Sequence, residues 1–394
     1  MVHTLRAQES TLKLKCKKKS GNSLFEAIKI WVESLPAEYL ASLNLSIPQL
    51  LTSAPKRWVV YYPMVLLPAG SFDSEWNFIF QPIDVFSSSI DNRSDLSVLI
   101  LSSIARKEGK KGLTHLAINS GIPRYEPALM GKESKENVLR TPSGLIPLYG
   151  DFGPALSPVA IPCQQDFDDA LWVSTKQNGI TQIWAPRYTM FSRGNFKEKQ
   201  RLIKFHTQDS LKKDDLSAAL ALDLYAGIGY FVFSYVKMGI GKVICWEINP
   251  WSLEGLRRGA IANKWSIKFI DSGDQLLSAN EKIIVFPEDN RFADEKLIKS
   301  HFLGAIKHVN CGLLPTSVES WKTALQNVAS GGWLHLHENV DKKDIPLRRV
   351  KIEETCQQWL DETGGRAQVI HVELVKTFAP QIWHCVFDVY ILRF

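Results

Sequence analysis

The chain has no apolar run long enough to cross a membrane, since its most apolar stretch, WVVYYPMVLLPAG, is short and is broken by Pro63 and Pro68. The charged N-terminus lacks the apolar segment of a secretory signal. The six cysteines are scattered, with no C-x-x-C motif and no Cys/His spacing typical of a metal site. We therefore expect a reduced, cytoplasmic protein with no membrane partner and no metal.

A phosphate-binding P-loop is also missing, because no G-x-x-x-x-G-K-[ST] motif occurs. The formal net charge of +6 is modest. It fits a nucleic-acid partner without requiring one. The basic runs KLKCKKK (13–19) and RKEGKK (106–111) either contact phosphates or form solvated faces, and composition does not decide between the two.

Three regions are predicted along the chain. Residues 1–130 form an α+β N-terminal region without a chemical motif, whose possible partner is tRNA. Residues 131–210 form a small β-rich module with an Asn-Gly hairpin turn at 178–179. Residues 211–394 alternate strands and helices and end in two antiparallel strands. For this last region we expect an α/β fold, a doubly wound, seven-stranded Rossmann-like sheet of the class I methyltransferase type.

The stretch LDLYAGIGYF, residues 222–231, carries the main chemical signal. The run AALALDLY is short and apolar, which predicts a buried parallel strand, and FVFSYVKMG predicts a helix. Between them, Gly227 and Gly229 let the backbone approach a ligand beside a helix N-terminus. A glycine pair of this kind also occurs in ordinary tight turns.

Polar residues follow the next two predicted strands. Glu247 lies 18 residues after Gly229, where an acid grips the ribose hydroxyls of a bound nucleotide. Asp289 and Asn290 follow the strand KIIVF and carry the groups that recognise an adenine edge. Each residue also has a plainer interpretation, as a solvated strand end or a turn. Because bulky residues replace the third glycine of a dinucleotide fingerprint, the pattern favours a ligand without pyrophosphate, such as S-adenosylmethionine.

A helix is predicted from about residue 196 to about residue 206. Asn195 and Glu198 are three residues apart, as in a capping box that closes a helix start. Ser192 and Lys199 bracket the same start. From the residues alone they are a turn serine and a solvated lysine.

Six segments together resemble the tRNA wybutosine-synthesizing protein 2 family, which is related to the tRNA guanine-37 N1-methyltransferases. The segments are MFSRGNFKEKQR, DLYAGIGYFVFSYVKMG, CWEINPWSLEGLRRGAIANKW, PEDNR, VNCGLLPTS and VKTFAPQIWHCVFDVYIL. The resemblance implies transfer of the 3-amino-3-carboxypropyl group of S-adenosylmethionine, not its methyl group. The implied acceptor is C7 of 4-demethylwyosine at position 37, in the anticodon loop of phenylalanine tRNA, and the co-product is methylthioadenosine.

The resemblance also assigns roles to residues. Ser192 and Lys199 match the ligand-binding serine and lysine of the family. By binding the carboxylate of the amino-acid arm, they would determine which carbon of the sulfonium reacts. Glu198 is a candidate proton acceptor. The expected S-adenosylmethionine contacts are Ser192, Lys199, Asp223, Gly227, Gly229, Glu247, Asp289 and Asn290. The expected contacts to the acceptor base are Asn310 and Pro315, in a strand-four sequence that departs from the methyl-transferring pattern.

Two alternatives stay open. One is N1-methylation of guanosine 37 by the same fold, with adenosylhomocysteine as the product. The other is a non-catalytic tRNA-binding protein with a dead pocket, and the complete set of pocket residues counts against it. Neither the docking of tRNA nor the oligomeric state is predicted by the sequence.

Overall fold

The computed structural model describes residues 21–80, 92–123, 125, 136–157, 160–206, 213–270, 280–298 and 304–394. The basic run 13–19 falls outside these residues. The run 106–111 is exposed at the end of a helix and in the chain that follows it.

The N-terminal part folds as helices on a four-stranded sheet. Its elements are α1 (Ser23–Ser34), α2 (Ala37–Ser42), α3 (Ile47–Ser53), β1 (Val59–Tyr61), β2 (Met64–Leu67), α4 (Glu75–Phe80), α5 (Asn92–Glu108), β3 (His115–Ile118) and β4 (Ile146–Tyr149). The strands lie in the order β1-β2-β3-β4. β2 and β3 are parallel, and β1 and β4 run antiparallel to their neighbours.

Helices α1 and α5 pack against each other in the N-terminal part. The side chain of Asn22 begins α1 by accepting hydrogen bonds from the N–H groups of Leu24 and Phe25, both at 3.1 Å. Trp31 of α1 is buried and stacks on Trp76, with ring centroids 6.3 Å apart. These contacts give the N-terminal part its own apolar core.

The middle part contains a hairpin and a helix, as predicted. Its elements are α6 (Gln164–Asp169), β5 (Val173–Gln177), β6 (Ile180–Trp184) and α7 (Phe196–Ile203). Asn178 and Gly179 have φ angles of 52° and 73°, as a type I′ hairpin turn requires. Strand β4 lies inside the region expected to be a separate module, yet it pairs with β3 of the N-terminal sheet. The domain boundaries at 130 and 210 stay predictions.

The C-terminal part is built on one large mixed sheet. Its elements are α8 (Lys213–Ala218), β7 (Leu220–Asp223), α9 (Val232–Met238), β8 (Lys242–Trp246), α10 (Pro250–Ala262), β9 (Ile267–Phe269), β10 (Ile283–Phe286), α11 (Ala293–Ile298), β11 (Ile306–Cys311), α12 (Trp321–Asn327), β12 (Gly332–Asp341), α13 (Ile345–Asp361), β13 (Arg366–Ala379) and β14 (Ile382–Leu392). The strand order is β13-β14-β12-β11-β7-β8-β10-β9. Every neighbouring pair is parallel except those that involve β14.

The expected doubly wound α/β class is confirmed, with one difference in strand number. The sheet has eight strands among the described residues, where seven were expected. The additional strand is β9, three residues at the edge of the sheet, which the sequence did not predict. Apolar cores cover both faces of the sheet, and β7 and β10 are buried throughout. The carboxyl ends of β7, β8, β10 and β11 therefore share one edge, which is where doubly wound sheets bind ligands.

A further apolar cluster joins the three parts of the chain. It packs Tyr61 of the N-terminal sheet against Trp184 of the hairpin, and it extends through Phe191 to Ile228 in the glycine turn. The rings of Trp184 and Phe191 are stacked 4.8 Å apart. The N-terminal sheet is thereby packed close to the ligand-binding edge. Among the described residues, no helix is both long and apolar enough to cross a membrane.

Candidate nucleotide and substrate site

The glycine turn and Glu247 are directly joined. The N–H of Gly227 donates to Glu247 Oε2 at 2.7 Å, and the N–H groups of Ile248 and Asn249 donate to Oε1 at 2.9 and 2.7 Å. Gly227 has a φ of +54°, in the left-handed region that favours glycine. The predicted acid therefore lies at the turn, and it fixes the end of β8 to the end of β7.

Gly229 has a second role that the sequence did not reveal. A Cβ at this position would lie 2.7 Å from the Phe233 ring and 2.9 Å from Leu256 Cδ1, and φ is +88°. The glycine is needed for close packing of α9 and α10 beside the turn.

The other predicted nucleotide contacts lie at the end of β10. Asn290 donates from Nδ2 to the Leu224 carbonyl at 2.6 Å, so it faces the end of β7. Asp289 accepts from the N–H and the guanidinium of Arg291, which lowers the pKa of its carboxyl group. The ends of β7, β8 and β10 thus bring the predicted ribose and adenine contacts to one edge.

Asp223 and Asn310 meet at the ends of β7 and β11. Asn310 Nδ2 donates to Asp223 Oδ1 at 3.1 Å, and both side chains are buried. Asp223 Oδ2 has no hydrogen-bond partner among the described residues, and burial raises the pKa of this carboxyl to about 6. A buried acceptor of this kind fits a hydrogen-bond donor supplied by a ligand.

Asn310 is oriented by histidines that the sequence analysis missed. His337 Nε2 lies 3.2 Å from Asn310 Oδ1, and His337 Nδ1 lies 2.9 Å from His384 Nε2. A neutral imidazole has one donor nitrogen and one acceptor nitrogen. If His337 Nε2 donates to Asn310 Oδ1, then His337 Nδ1 accepts from His384 Nε2. The amide is therefore fixed with its NH₂ group toward Asp223. The signal was present as histidines inside otherwise apolar strands, HLHENV and IWHCVF.

Pro315 lies in the loop after β11, following a cis peptide bond. Its carbonyl accepts from the N–H of Asn339 at 2.8 Å. Arg140, from the segment before β4, donates to the carbonyl of Leu314. The loop expected to enclose the acceptor base is therefore held from both sides.

Lys199 is buried rather than solvated, and the residue is 2% exposed. Its Nζ donates to Gln177 Oε1 and to Gln182 Oε1, both at 2.9 Å, and lies 4.7 Å from the centroid of the Phe191 ring. No carboxylate in the described part of the chain pairs with it. Burial lowers the pKa of Lys199 to about 7. Both glutamines come from the hairpin, so pairing of β5 with β6 creates this lysine site.

Ser192 is held by a second lysine. Lys376 Nζ donates to Ser192 Oγ at 3.1 Å. Lys376 comes from β13, and burial lowers its pKa. Together with Lys199, Lys376 gives the predicted Ser192–Lys199 pair a second lysine. Lys376 was not anticipated, because its position depends on the pairing of β13 with β14.

Glu198 does not form the expected capping box. Arg201 binds both of its oxygens, at 2.8 and 2.7 Å, and the side chain of Asn195 forms no cap bond. Arg201 also bonds Asp388. Burial raises the pKa of Glu198 although Arg201 opposes the shift. The capping interpretation is wrong because Arg201, three residues later on the same helix, binds both oxygens of Glu198 and is itself held by Asp388 of β14. Its role as a proton acceptor stays a prediction.

A buried polar chain continues from Asp388 through the sheet. Asp388 Oδ1 lies 2.7 Å from His335 Nδ1, His335 Nε2 lies 2.9 Å from His308 Nδ1, and His308 Nε2 lies 2.8 Å from His206 Nε2. Burial alone would raise the pKa of Asp388, but His335 and Arg201 hold it below its usual value. No group of three or more His, Cys, Asp or Glu in the described ranges has the geometry of a metal site.

A glycine turn after the first strand, an acid after the second and polar groups at the adjacent strand ends define a nucleotide-binding α/β protein of the class I methyltransferase type. No family model matches the chain. It is 40% identical over 340 residues to tRNA wybutosine-synthesizing protein 2 of Schizosaccharomyces pombe, covering 85% of this chain and 72% of the relative. It is 31% identical over 414 residues to the Saccharomyces cerevisiae protein of the same name, covering 94% and 81%.

The chain belongs to the tRNA wybutosine-synthesizing protein 2 family. The family expected from the sequence motifs is thus confirmed. Among solved structures, the fold is similar to Pyrococcus horikoshii TYW2, which was determined in complex with MeSAdo. The TM-score is 0.55 and the identity 20%, over 93% of this chain and 99% of the other.

Glu247→Ala is expected to weaken S-adenosylmethionine binding about 10- to 100-fold, because a charge-assisted hydrogen-bond acceptor is lost. Calorimetry of the purified variant measures this change. Glu362→Ala, which removes an exposed acid after α13, is the control and should bind like the wild type. Thermal unfolding without ligand shows how far the substitution also destabilises the protein through loss of the backbone hydrogen bonds at the turn. An unchanged dissociation constant for Glu247→Ala would place the nucleoside elsewhere.

Proposed function

We propose that this protein transfers the 3-amino-3-carboxypropyl group of S-adenosylmethionine to C7 of 4-demethylwyosine at position 37 of phenylalanine tRNA. Family membership supports an S-adenosylmethionine-dependent enzyme of tRNA wybutosine synthesis. The observation that carries the choice of transferred group is Lys199. It is a buried lysine held by two amide oxygens, with no carboxylate partner in the described part of the chain.

A buried ammonium without a counter-ion favours a bound anion, since burial otherwise disfavours its charged form. The carboxylate of the amino-acid arm is such an anion, and S-adenosylmethionine supplies a sulfonium with three electrophilic carbons. Lys199 and Ser192 would hold the arm on the side of α7, away from the glycine turn. In that pose the γ-carbon of the arm, rather than the methyl group, is presented to the acceptor.

The nucleoside end is assigned to the strand ends. Glu247 would accept from the ribose hydroxyls while it keeps its backbone bonds at the turn. Asp289 and Asn290 would meet the adenine edge. Because these contacts follow the ends of β8 and β10, they are independent of the hairpin and helix that hold Lys199. Nucleoside binding and group selection should therefore separate in variants.

Bond formation at C7 releases a proton, and methylthioadenosine leaves as the carbon–sulfur bond breaks. Two buried carboxylates are candidates to accept the proton. Glu198 has both oxygens bound by Arg201, so it accepts only if that ion pair opens. Asp223 has an unpartnered oxygen and a pKa of about 6, which suits proton transfer near neutral pH. We propose Asp223 as the acceptor.

The acceptor base is assigned to the loop after β11. Asn310, fixed by Asp223 and His337, would recognise the base, and the Pro315 loop would enclose its three fused rings. Methyl transfer to guanosine 37 remains the competing activity, and its product differs. Detection of adenosylhomocysteine in place of methylthioadenosine would establish it.

Lys199→Ala is expected to slow aminocarboxypropyl transfer about 30- to 1000-fold, because loss of a charge-assisted contact in the reactive pose raises the barrier by about 2–4 kcal/mol. Methylthioadenosine and adenosylhomocysteine are followed together with hypomodified tRNA. Nucleoside binding should weaken less, since Glu247 and Asp289 are untouched.

Lys197→Ala is the matched control, because Lys197 is an exposed lysine on the same helix. It should transfer the group at the wild-type rate. Wild-type production of methylthioadenosine by Lys199→Ala would show that the carboxylate is held by other residues.

The pH dependence of S-adenosylmethionine binding should report Lys199. Its pKa of about 7 means that the ammonium is present below this pH and is lost as pH rises through it. Affinity is therefore expected to fall above pH 7 by up to about tenfold per pH unit. The fall ends when the pH reaches the pKa that Lys199 has in the ligand-bound protein. Titration calorimetry from about pH 6 to about pH 9 covers the range on either side of this pKa.

Lys199→Gln removes this titration and keeps every other ionising group, including the amino group of the ligand. Its affinity should be lower at about pH 6 and should converge with the wild type at high pH. Parallel pH curves for the two proteins would mean that Lys199 does not meet the carboxylate.

A further inference from the structure

A cavity of about 960 Å³ lies between the N-terminal sheet, the β5–β6 hairpin and the chain that leads into α7. Its volume is near the upper end of the range for small-molecule sites, about 300–1,000 Å³. The walls are mainly apolar and aromatic, from Trp58, Tyr61, Leu66, Trp184 and Phe191. None of the residues assigned above to the nucleoside or to the acceptor base lines it.

The lining carries positive charge. Lys56, Arg57 and Arg193 contribute to it, and all three are exposed. No ion pair to a carboxylate engages them within the described residues. Glu108 is the one acid among the lining residues, and its Oε1 accepts from the indole N–H of Trp58 at 3.2 Å. The cavity therefore combines unpaired cations with aromatic rings.

The cavity adjoins the proposed reaction site at Phe191. Phe191 lines the cavity, and its ring centroid is 4.7 Å from Lys199 Nζ. Phe191 also stacks on Tyr230, next to the glycine turn, with centroids 6.2 Å apart. A group bound in the cavity would be separated from the amino-acid arm by a single aromatic ring.

We propose that this cavity binds a nucleotide of the single-stranded RNA loop that flanks the target base. Single-stranded RNA is held by base stacking on aromatic rings and by cations at its phosphates. Trp58 offers the half-buried ring, and Arg57 and Lys56 offer the phosphate contacts. The inference rests on the proposed function, because it takes the RNA substrate from it. The N-terminal sheet then participates in substrate recognition directly.

The test compares two variants of the full chain with the wild type. Arg57→Gln removes a cation at the cavity, and Leu66→Trp fills the cavity with a larger ring. Binding of an RNA hairpin with the phenylalanine tRNA anticodon loop is measured by fluorescence anisotropy over a range of salt concentrations. S-Adenosylmethionine affinity is measured by calorimetry. Lys351→Gln, an exposed lysine on α13 outside the cavity, is the charge control.

Arg57→Gln should lower the slope of log affinity against log salt by about 0.7, the value for one phosphate contact on a single strand. Leu66→Trp should weaken RNA binding about tenfold or more, since the larger side chain occupies the space in which a base would stack. Neither variant should change S-adenosylmethionine affinity. Lys351→Gln should leave RNA binding unchanged.

RNA binding equal to wild type in both variants overturns the inference, and the proposed function stands if the wild type still modifies tRNA. A loss of S-adenosylmethionine affinity with intact RNA binding also overturns it and assigns the cavity to the amino-acid arm. A wild-type protein that neither binds the hairpin nor yields methylthioadenosine overturns both proposals.

Discussion

The carboxylate of Glu247 is the constraint on which the rest of the site depends. It accepts three backbone N–H groups, one from the glycine turn and two from the chain after β8, and so fixes two strand ends against each other. Burial raises the pKa of this acid, and the backbone donors oppose that shift. The charged form of the Glu247 carboxyl group is stabilised because backbone N–H groups donate hydrogen bonds to it. The same turn then positions Ile228 in the cluster that joins all three parts of the chain.

The burial of Lys199 depends on residues that are distant from it in the sequence. On helix α7 alone it would be an ordinary solvated lysine. The hairpin supplies Gln177 and Gln182 as neutral acceptors, and Phe191 closes the site, so that the charge is buried without being neutralised. Such an arrangement is unfavourable in the free protein and becomes favourable when an anion binds. Preorganised positive charge of this kind is suited to holding one arm of a flexible ligand.

The sequence predicted the features that depend on local pattern. The strand before Gly227, the acid at 247, the 178–179 hairpin and the final antiparallel pair all follow from short-range periodicity and turn chemistry, and the structure has them. Features that depend on distant partners were missed. Glu198 pairs with Arg201, which in turn pairs with Asp388 of β14, instead of capping its helix, because β14 lies beside α7 only in the folded chain. Strand β9 was missed because three residues at a sheet edge carry too little pattern.

We propose that the fold delivers the amino-acid arm of S-adenosylmethionine, not the methyl group, to a base in tRNA. Mass spectrometry of both products, after incubation of the wild-type protein with S-adenosylmethionine and tRNA that carries 4-demethylwyosine, tests it most directly. Methylthioadenosine is expected in equal amount to RNA that has gained one 3-amino-3-carboxypropyl group. Adenosylhomocysteine together with RNA that has gained one methyl group would contradict it.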